Sequence, residues 1–262
     1  MQPVASFPPQ SQRPLKGVFS DIDDTLSSDG VLTSQAYAAM ERLQQAGLLM
    51  IPITGRPAGW CDHIARMWPV DGVVGENGAF YFRYDRRRKK MIRRFLQSDA
   101  QRAQGREKLN ALRDEILAAV PGAGIASDQF YREADLAIDF CEDVTPLPQS
   151  DINTIVALFE AAGATAKVSS IHVNGWFGTY DKLSMTKILM AECFDMNLEC
   201  EKENFTYLGD SPNDAPMFAF FPHAVGVANV ADFEARMEAS PAYITKARGG
   251  AGFAEFAELL LK

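Results

Sequence analysis

The stretch Val18-Phe19-Ser20-Asp21-Ile22-Asp23-Asp24-Thr25-Leu26 reads as an apolar strand that runs straight into a cluster of carboxylates. On extended backbone alternate side chains share a face, which would put Asp21, Asp23 and Thr25 on one side. Burying charge is costly unless the charge is paired or metal-bound. The cluster therefore implies a cation, a titrating pair of acids, or a solvated turn. The nine residues alone leave all three readings open.

Working outward, the chain alternates strand and helix. Leu15–Ser20 is the first strand. Ser34–Ala46 has helical spacing, with Thr33 or Ser34 as its start and Gly47 as its stop. Leu48–Ile53 is a continuous apolar run, as expected of a strand buried on both faces. Thr54-Gly55-Arg56-Pro57 ends it, and Pro57 suits the first turn of a helix to about Met67. Gly72–Val74 is a third short strand, and Glu76-Asn77-Gly78 turns into Ala79–Tyr84. This order argues for a parallel α/β sheet, with Asp21, Thr54 and Glu76-Asn77 at carboxyl ends of strands.

From about Phe82 the character changes. The run Arg86-Arg87-Arg88-Lys89-Lys90 reads as a solvated hairpin or an anion-steering patch. A helix over Gln101–Val120, a strand over Ala134–Phe140, a helix from about Ser150 to Ala162 and a strand over Lys167–Val173 suit a separate α+β unit. The alternating pattern then returns, with a helix over Lys182–Asp195 and a strand over Phe205–Leu208. The expected organisation is a mobile tail over 1–14, a core over 15–81 and 180–262, and an inserted unit over 82–179. Hinges are expected at about 81–84 and 176–181.

Bulk properties bound the function. The 262 residues carry a formal net charge of −8, so no general nucleic-acid footprint is expected. An anionic substrate then needs local cations. Cys61, Cys141, Cys193 and Cys200 are scattered without zinc spacing, which fits a reduced, cytoplasmic setting. Residues 1–14 lack the basic-then-apolar order of a secretory signal. No apolar run approaches the roughly 18–20 residues that cross a membrane, so no membrane partner is expected. The oligomeric state is left open.

A second acidic cluster, Gly209-Asp210-Ser211-Pro212-Asn213-Asp214, follows the strand Phe205–Leu208. If both clusters face one cleft, oxygen ligands converge in a way that suits magnesium. An EF-hand loop is excluded, because Thr25 and Leu26 stand where it needs Asp or Asn and Gly. Walker A and Gly-x-Gly-x-x-Gly loops are absent as well.

Asp21-Ile-Asp23-Asp-Thr25, Thr54-Gly-Arg, Lys182 and Gly209-Asp210-Ser-Pro-Asn-Asp214 stand in the order of the four motifs of the haloacid dehalogenase superfamily. The chain resembles that superfamily over nearly everything after residue 14. Its insertion, with Glu76-Asn77-Gly78 and Asp181-Lys182, looks like the branch with a type IIB cap. The resemblance implies a Rossmann-like parallel-sheet core with an inserted α+β cap. It also implies a magnesium-dependent phosphohydrolase acting on a small phosphate ester, most simply a sugar phosphate. By position, Asp21 is then the nucleophile and Asp23 the acid and base. Thr54, with Gly55, holds phosphoryl oxygens, and Lys182 offsets charge. Asp21, the carbonyl of Asp23, Asp210 and Asp214 hold the metal. Asp24 is assigned no metal role.

Arg56, His172, Asn174 and Trp176 are substrate-binding candidates. The last three share a face if Ile171–Trp176 is extended; linker or structural roles are the alternative. Two other functions compete, a sugar phosphomutase and a non-catalytic phosphometabolite-binding protein. Intact Asp21 and Asp23 argue against the second.

Overall fold

The computed structural model describes residues 1–9 and 14–262. In chain order the strands are β1 (Gln2–Pro3), β2 (Gly17–Ser20), β3 (Ser27–Ser28), β4 (Val31–Leu32), β5 (Leu49–Pro52), β6 (Val73–Gly75), β7 (Phe80–Asp85) and β8 (Lys90–Phe95). They continue with β9 (Gly124–Ile125), β10 (Asp135–Asp139), β11 (Thr165–Val168), β12 (His172–Trp176), β13 (Phe205–Gly209), β14 (Val225–Gly226) and β15 (Tyr243–Ile244). The helices are α1 (Ser34–Gln45), α2 (Ala58–Met67), α3 (Asp99–Ala119), α4 (Gln149–Ala161), α5 (Lys182–Phe194), α6 (Leu198–Glu201), α7 (Ala215–Phe220) and α8 (Gly249–Leu260).

Six strands form one parallel sheet in the order β1-β15-β14-β13-β2-β5. The apolar runs of β2, β5 and β13 are buried on both faces, between two side-chain clusters. The order makes β2 a switch point. The chain leaves it toward β5 and returns much later on its other side as β13. Asp21 and Asp210 therefore emerge from neighbouring strand ends, where open α/β sheets bind ligands.

A second unit, residues 98–177, carries its own four-stranded sheet, β11-β12-β10-β9. Helices α3 and α4 cover it through Leu109, Leu112, Ile116, Ile152, Ile155 and Phe159. The protein is thus α/β, a Rossmann-like core with an inserted α+β unit. No helix among the described residues is long and apolar enough to cross a membrane.

Four expectations need correction. Residues 1–9 are not a mobile tail: β1 pairs with β15, and Val4 and Phe7 are buried in the main core. The remaining expected tail residues 10–13 lie outside the described residues. The inserted unit does not begin at 82, nor do residues 81–84 form a hinge. They lie inside the β7–β8 hairpin, which pairs with β6 and buries Phe80 and Phe82 in the main core. Pairing with β6 over Phe80–Phe82 and with β8 over Phe80–Asp85 removes the backbone freedom a hinge needs. The strand expected over Lys167–Val173 is two strands. Ser169 turns the chain, its hydroxyl accepting the N–H groups of Ile171 and His172. Finally, β6 touches the parallel sheet only through a bridge from Ile53 to Val74, and otherwise pairs antiparallel with β7.

Candidate active site

Asp21 is placed by backbone: its N–H donates to the Leu208 carbonyl at 2.9 Å, which holds it beside the end of β13. Extended alternation stops there. The N–H groups of Thr25, Leu26 and Ser27 all fold back onto the Ile22 carbonyl, so residues 22–27 are a tight turn. Asp24 takes up the curvature with φ 56°. Asp21 and Asp23 thus share the cleft through this turn, not through strand geometry.

Lys182 opens α5, whose start is fixed by reciprocal bonds between Asp181 and Ser184. Its ammonium donates to Asp21 Oδ1 at 2.6 Å and to Asp214 Oδ1 at 2.8 Å. Lys187, the neighbouring lysine, lies against Glu199 on the surface. Asp214 is heavily committed. Besides Lys182 it accepts the Tyr207 hydroxyl and the N–H groups of Asp210 and Ser211. Gly209 makes this approach possible, because a Cβ there would stand 2.4 Å from the Asp214 carboxylate. Asp210 accepts Thr25 Oγ1 and Asn229 Nδ2, each at 3.2 Å. Asn229 also donates to the Asp24 carbonyl and accepts the Gly249 N–H, tying three loops around the acids.

Three buried carboxylates, Asp21, Asp210 and Asp214, thus face one ammonium. One oxygen from each lies within 4.8 Å of the others. Burial pushes Asp21 up to about 8; Lys182 opposes this, and Asp214 and Asp23 add to it. Burial likewise holds Asp210 well above the usual carboxylate range, with Asp214 and Asp21 reinforcing it. Lys182 is pulled down by burial, but Asp21 and Asp214 outweigh that and its pKa rises. An all-oxygen, net negative donor set short of positive charge fits a hard divalent cation such as magnesium.

Asp23, Gly55, Arg56, His172 and Asn174 line the same cleft as Asp21. Thr54 is fully buried, and its hydroxyl accepts the Arg56 N–H at 3.0 Å. Trp176, on the same strand as His172 and Asn174, does not line this cleft. It stacks on Tyr180, 5.6 Å between centroids, and borders a neighbouring cavity with Lys182. The Arg56 guanidinium holds both oxygens of Asp23, Nε at 3.0 and 3.1 Å and Nη2 at 2.8 Å. It also reaches Glu142 at 2.9 Å and Asp128 at 3.3 Å in the inserted unit. His172 lies 2.8 Å from Glu142. Arg132 pairs with Asp128 and Asp135 and donates to the Gly55 carbonyl. Glu142, Arg132, Asp128 and Asn229 were not singled out from sequence. The clearest available signal was Asn229, which follows β14 at another strand end.

Residues 18–104 match the sequence profile of the haloacid dehalogenase-like hydrolases. No curated protein matches this chain in sequence. Among solved structures, its fold is similar to a Thermoplasma acidophilum protein at 17% identity and a TM-score of 0.69, covering 94% of this chain and 99% of that one. A putative HAD/COF-like hydrolase from Plasmodium vivax aligns at 15% identity and TM-score 0.67, over 95% and 96% of the two chains. The sucrose-phosphatase of Synechocystis, solved with sucrose and phosphate, aligns at 17% identity and TM-score 0.66, over 94% and 98%. At these identities the structural likeness concerns the fold, in which the inserted unit of this chain takes the place of a cap.

Proposed function

We propose that this protein is a hydrolase of the haloacid dehalogenase superfamily, a magnesium-dependent phosphomonoesterase that acts on a small sugar phosphate through an aspartyl-phosphate. The observation that carries the reading is Asp21, a cleft-lining carboxylate whose Oδ1 is held by Lys182. Asp21, the carbonyl of Asp23 and Asp210 would hold magnesium, with Asp214 supporting them directly or through Lys182. The ion supplies positive charge against the anionic phosphate. An Asp21 oxygen attacks phosphorus, the ester P–O bond breaks, and Asp23 gives a proton to the departing oxygen. Water then attacks phosphorus and Asp23 takes its proton. The P–O bond to Asp21 breaks, and inorganic phosphate leaves. The Thr54 hydroxyl accepts from Arg56 N–H, so its own proton is available to a phosphoryl oxygen.

Charge balance favours a neutral, hydroxyl-bearing leaving group. The two arginines at the cleft, Arg56 and Arg132, face four carboxylates, Asp23, Asp128, Asp135 and Glu142. A second phosphate therefore meets no uncommitted arginine among the described residues lining the cleft. This supports a phosphatase over a mutase, which must hold a bisphosphate. The sucrose and phosphate in the Synechocystis relative point to the same substrate class. His172 and Asn174, which line the cleft, would bind such hydroxyls by giving up part of their contacts to Glu142 and Asp135; Trp176 would do so only from the adjoining cavity.

The test is phosphate release from sugar monophosphates with and without magnesium. Asp21→Asn should cut turnover by about 10³-fold or more with the fold retained by circular dichroism. Parent-like hydrolysis by that variant would remove Asp21 as nucleophile. Isomerised monophosphate formed on adding a sugar bisphosphate would favour the mutase instead.

A further inference from the structure

We propose that Arg56 is a positioning residue that withholds or releases Asp23 according to where the cap carries Glu142. The inference rests on the phosphatase reading and concerns a step that reading leaves open. Asp23 can move protons only if one of its oxygens is free to meet the leaving group or water. Here both oxygens are taken by Arg56. To serve as an acid Asp23 must carry a proton on one of these oxygens, and a guanidinium N–H aimed at each of them opposes that proton, so the guanidinium must shift before Asp23 can give one. Its other two partners, Glu142 and Asp128, both belong to the cap.

Arg56 is built for such an exchange. It is 5% exposed, so its ion pairs are poorly screened and no partner can be given up without replacement. Nη2 already bridges Asp23 and Glu142, at 2.8 and 2.9 Å. A small displacement thus passes the guanidinium from one carboxylate to the other without leaving it unpaired. Asp128 is less free to trade, because it also holds Arg132. Glu142, 27% exposed, sits at the edge of this network and follows the cap. Arg56 also lies over the Trp60 ring, 4.5 Å from its centroid, which gives its position an optical reporter.

The experiment compares kcat/KM for an alkyl phosphate, whose leaving oxygen needs a proton, with that for p-nitrophenyl phosphate, whose leaving group departs as a stable anion. In the full-length magnesium-loaded protein, Glu142→Gln should lower the alkyl-to-aryl ratio about 10-fold while the aryl value stays within about 2-fold. An unchanged or raised ratio, or an equal fall for both esters, overturns the proposal, since loss of structure or of substrate contact would touch both. Glu142→Asp keeps the charge and should restore part of the ratio. Trp60 emission, isolated as the difference between parent and Trp60→Phe, should shift on Glu142→Gln as the guanidinium redistributes. No shift also overturns it. If the parent hydrolyses neither ester, the phosphatase reading fails by itself, and the Trp60 measurement still decides whether Glu142 sets Arg56.

Discussion

At the scale of single residues, the site is a problem of uncompensated charge. Asp21 is raised to about 8 mainly by burial, against which Lys182 works only in part. Its folded pKa stands above the ordinary value of 3.8, so the sign is fixed. The metal-free fold gains stability below the ordinary value and loses it as pH climbs through about 8. We therefore expect the melting temperature of chelator-treated protein to fall between about pH 5 and pH 8, and Asp21→Asn to flatten that fall. Magnesium should flatten it too, since a bound cation displaces the proton. Calorimetric melts across that range check this; an equal slope in Asp21→Asn would place the dependence elsewhere. Glu142 acts in a different window. His172 and Arg56 hold it down at about 2 against burial, so its contribution is lost only in acid, below the ordinary 4.5.

At the scale of elements, the turn Glu76-Asn77-Gly78 is the most constrained piece of the core. Glu76, Asn77 and Gly78 have φ of 42°, 53° and 108°. A Cβ on Gly78 would stand 2.0 Å from the Asp181 carbonyl, the residue that starts α5 and sets Lys182. Gly78→Ala should cost more than about 2 kcal/mol, through both the clash and the positive φ. It should also lower turnover by displacing Lys182. Urea unfolding read beside activity tests this, and a cost under about 1 kcal/mol would mean that the turn relaxes freely. Elements of this kind divide by how local their cause is. The buried runs of β2, β5 and β13 were legible because apolar residues in succession have one explanation in an α/β sheet. Asp21, Lys182 and Asp210 were legible as motif positions, and the structure brings all three together. β1 was not legible, since two residues have no periodicity and their partner is β15, near the other end of the chain. The break in Lys167–Val173 was hidden because Ser169, a weak turn former, acts through its hydroxyl inside a run of strand formers. Glu142 and Arg132 were hidden because their meaning lies in Arg56 and Gly55, on the other unit.

At the scale of the whole molecule, two bodies, each with its own apolar cluster, meet across a largely polar seam that Trp176 crosses to join the main core. The cap packs around Leu112, Ile116 and Phe159, the core around its parallel sheet. Between them run ion pairs of Arg56, the Arg132 bond to the Gly55 carbonyl, and Glu76. The shared cleft holds about 20 Å³, room for about one water molecule. The proposed sugar phosphate would fit there only if the seam opened. A seam of hydrogen bonds can part and reform, because water replaces each bond on opening. Glu76 is its most deeply buried member. Fully buried, it accepts the Ala58 N–H from the core and the Glu133 and Ala134 N–H groups from the cap. Removing it leaves three donors without an acceptor, at about 1–3 kcal/mol each if they stay buried. The less costly response is for the seam to open and hydrate them. Glu76→Ala should therefore raise amide exchange at residues 133–134 by about 10-fold or more, while exchange in the cap helices α3 and α4 stays near that of the parent. Hydrogen exchange followed by mass spectrometry separates the outcomes. Faster exchange throughout the cap would mean that Glu76 supports the cap's own fold, and unchanged exchange at 133–134 would mean that the arginines alone hold the seam.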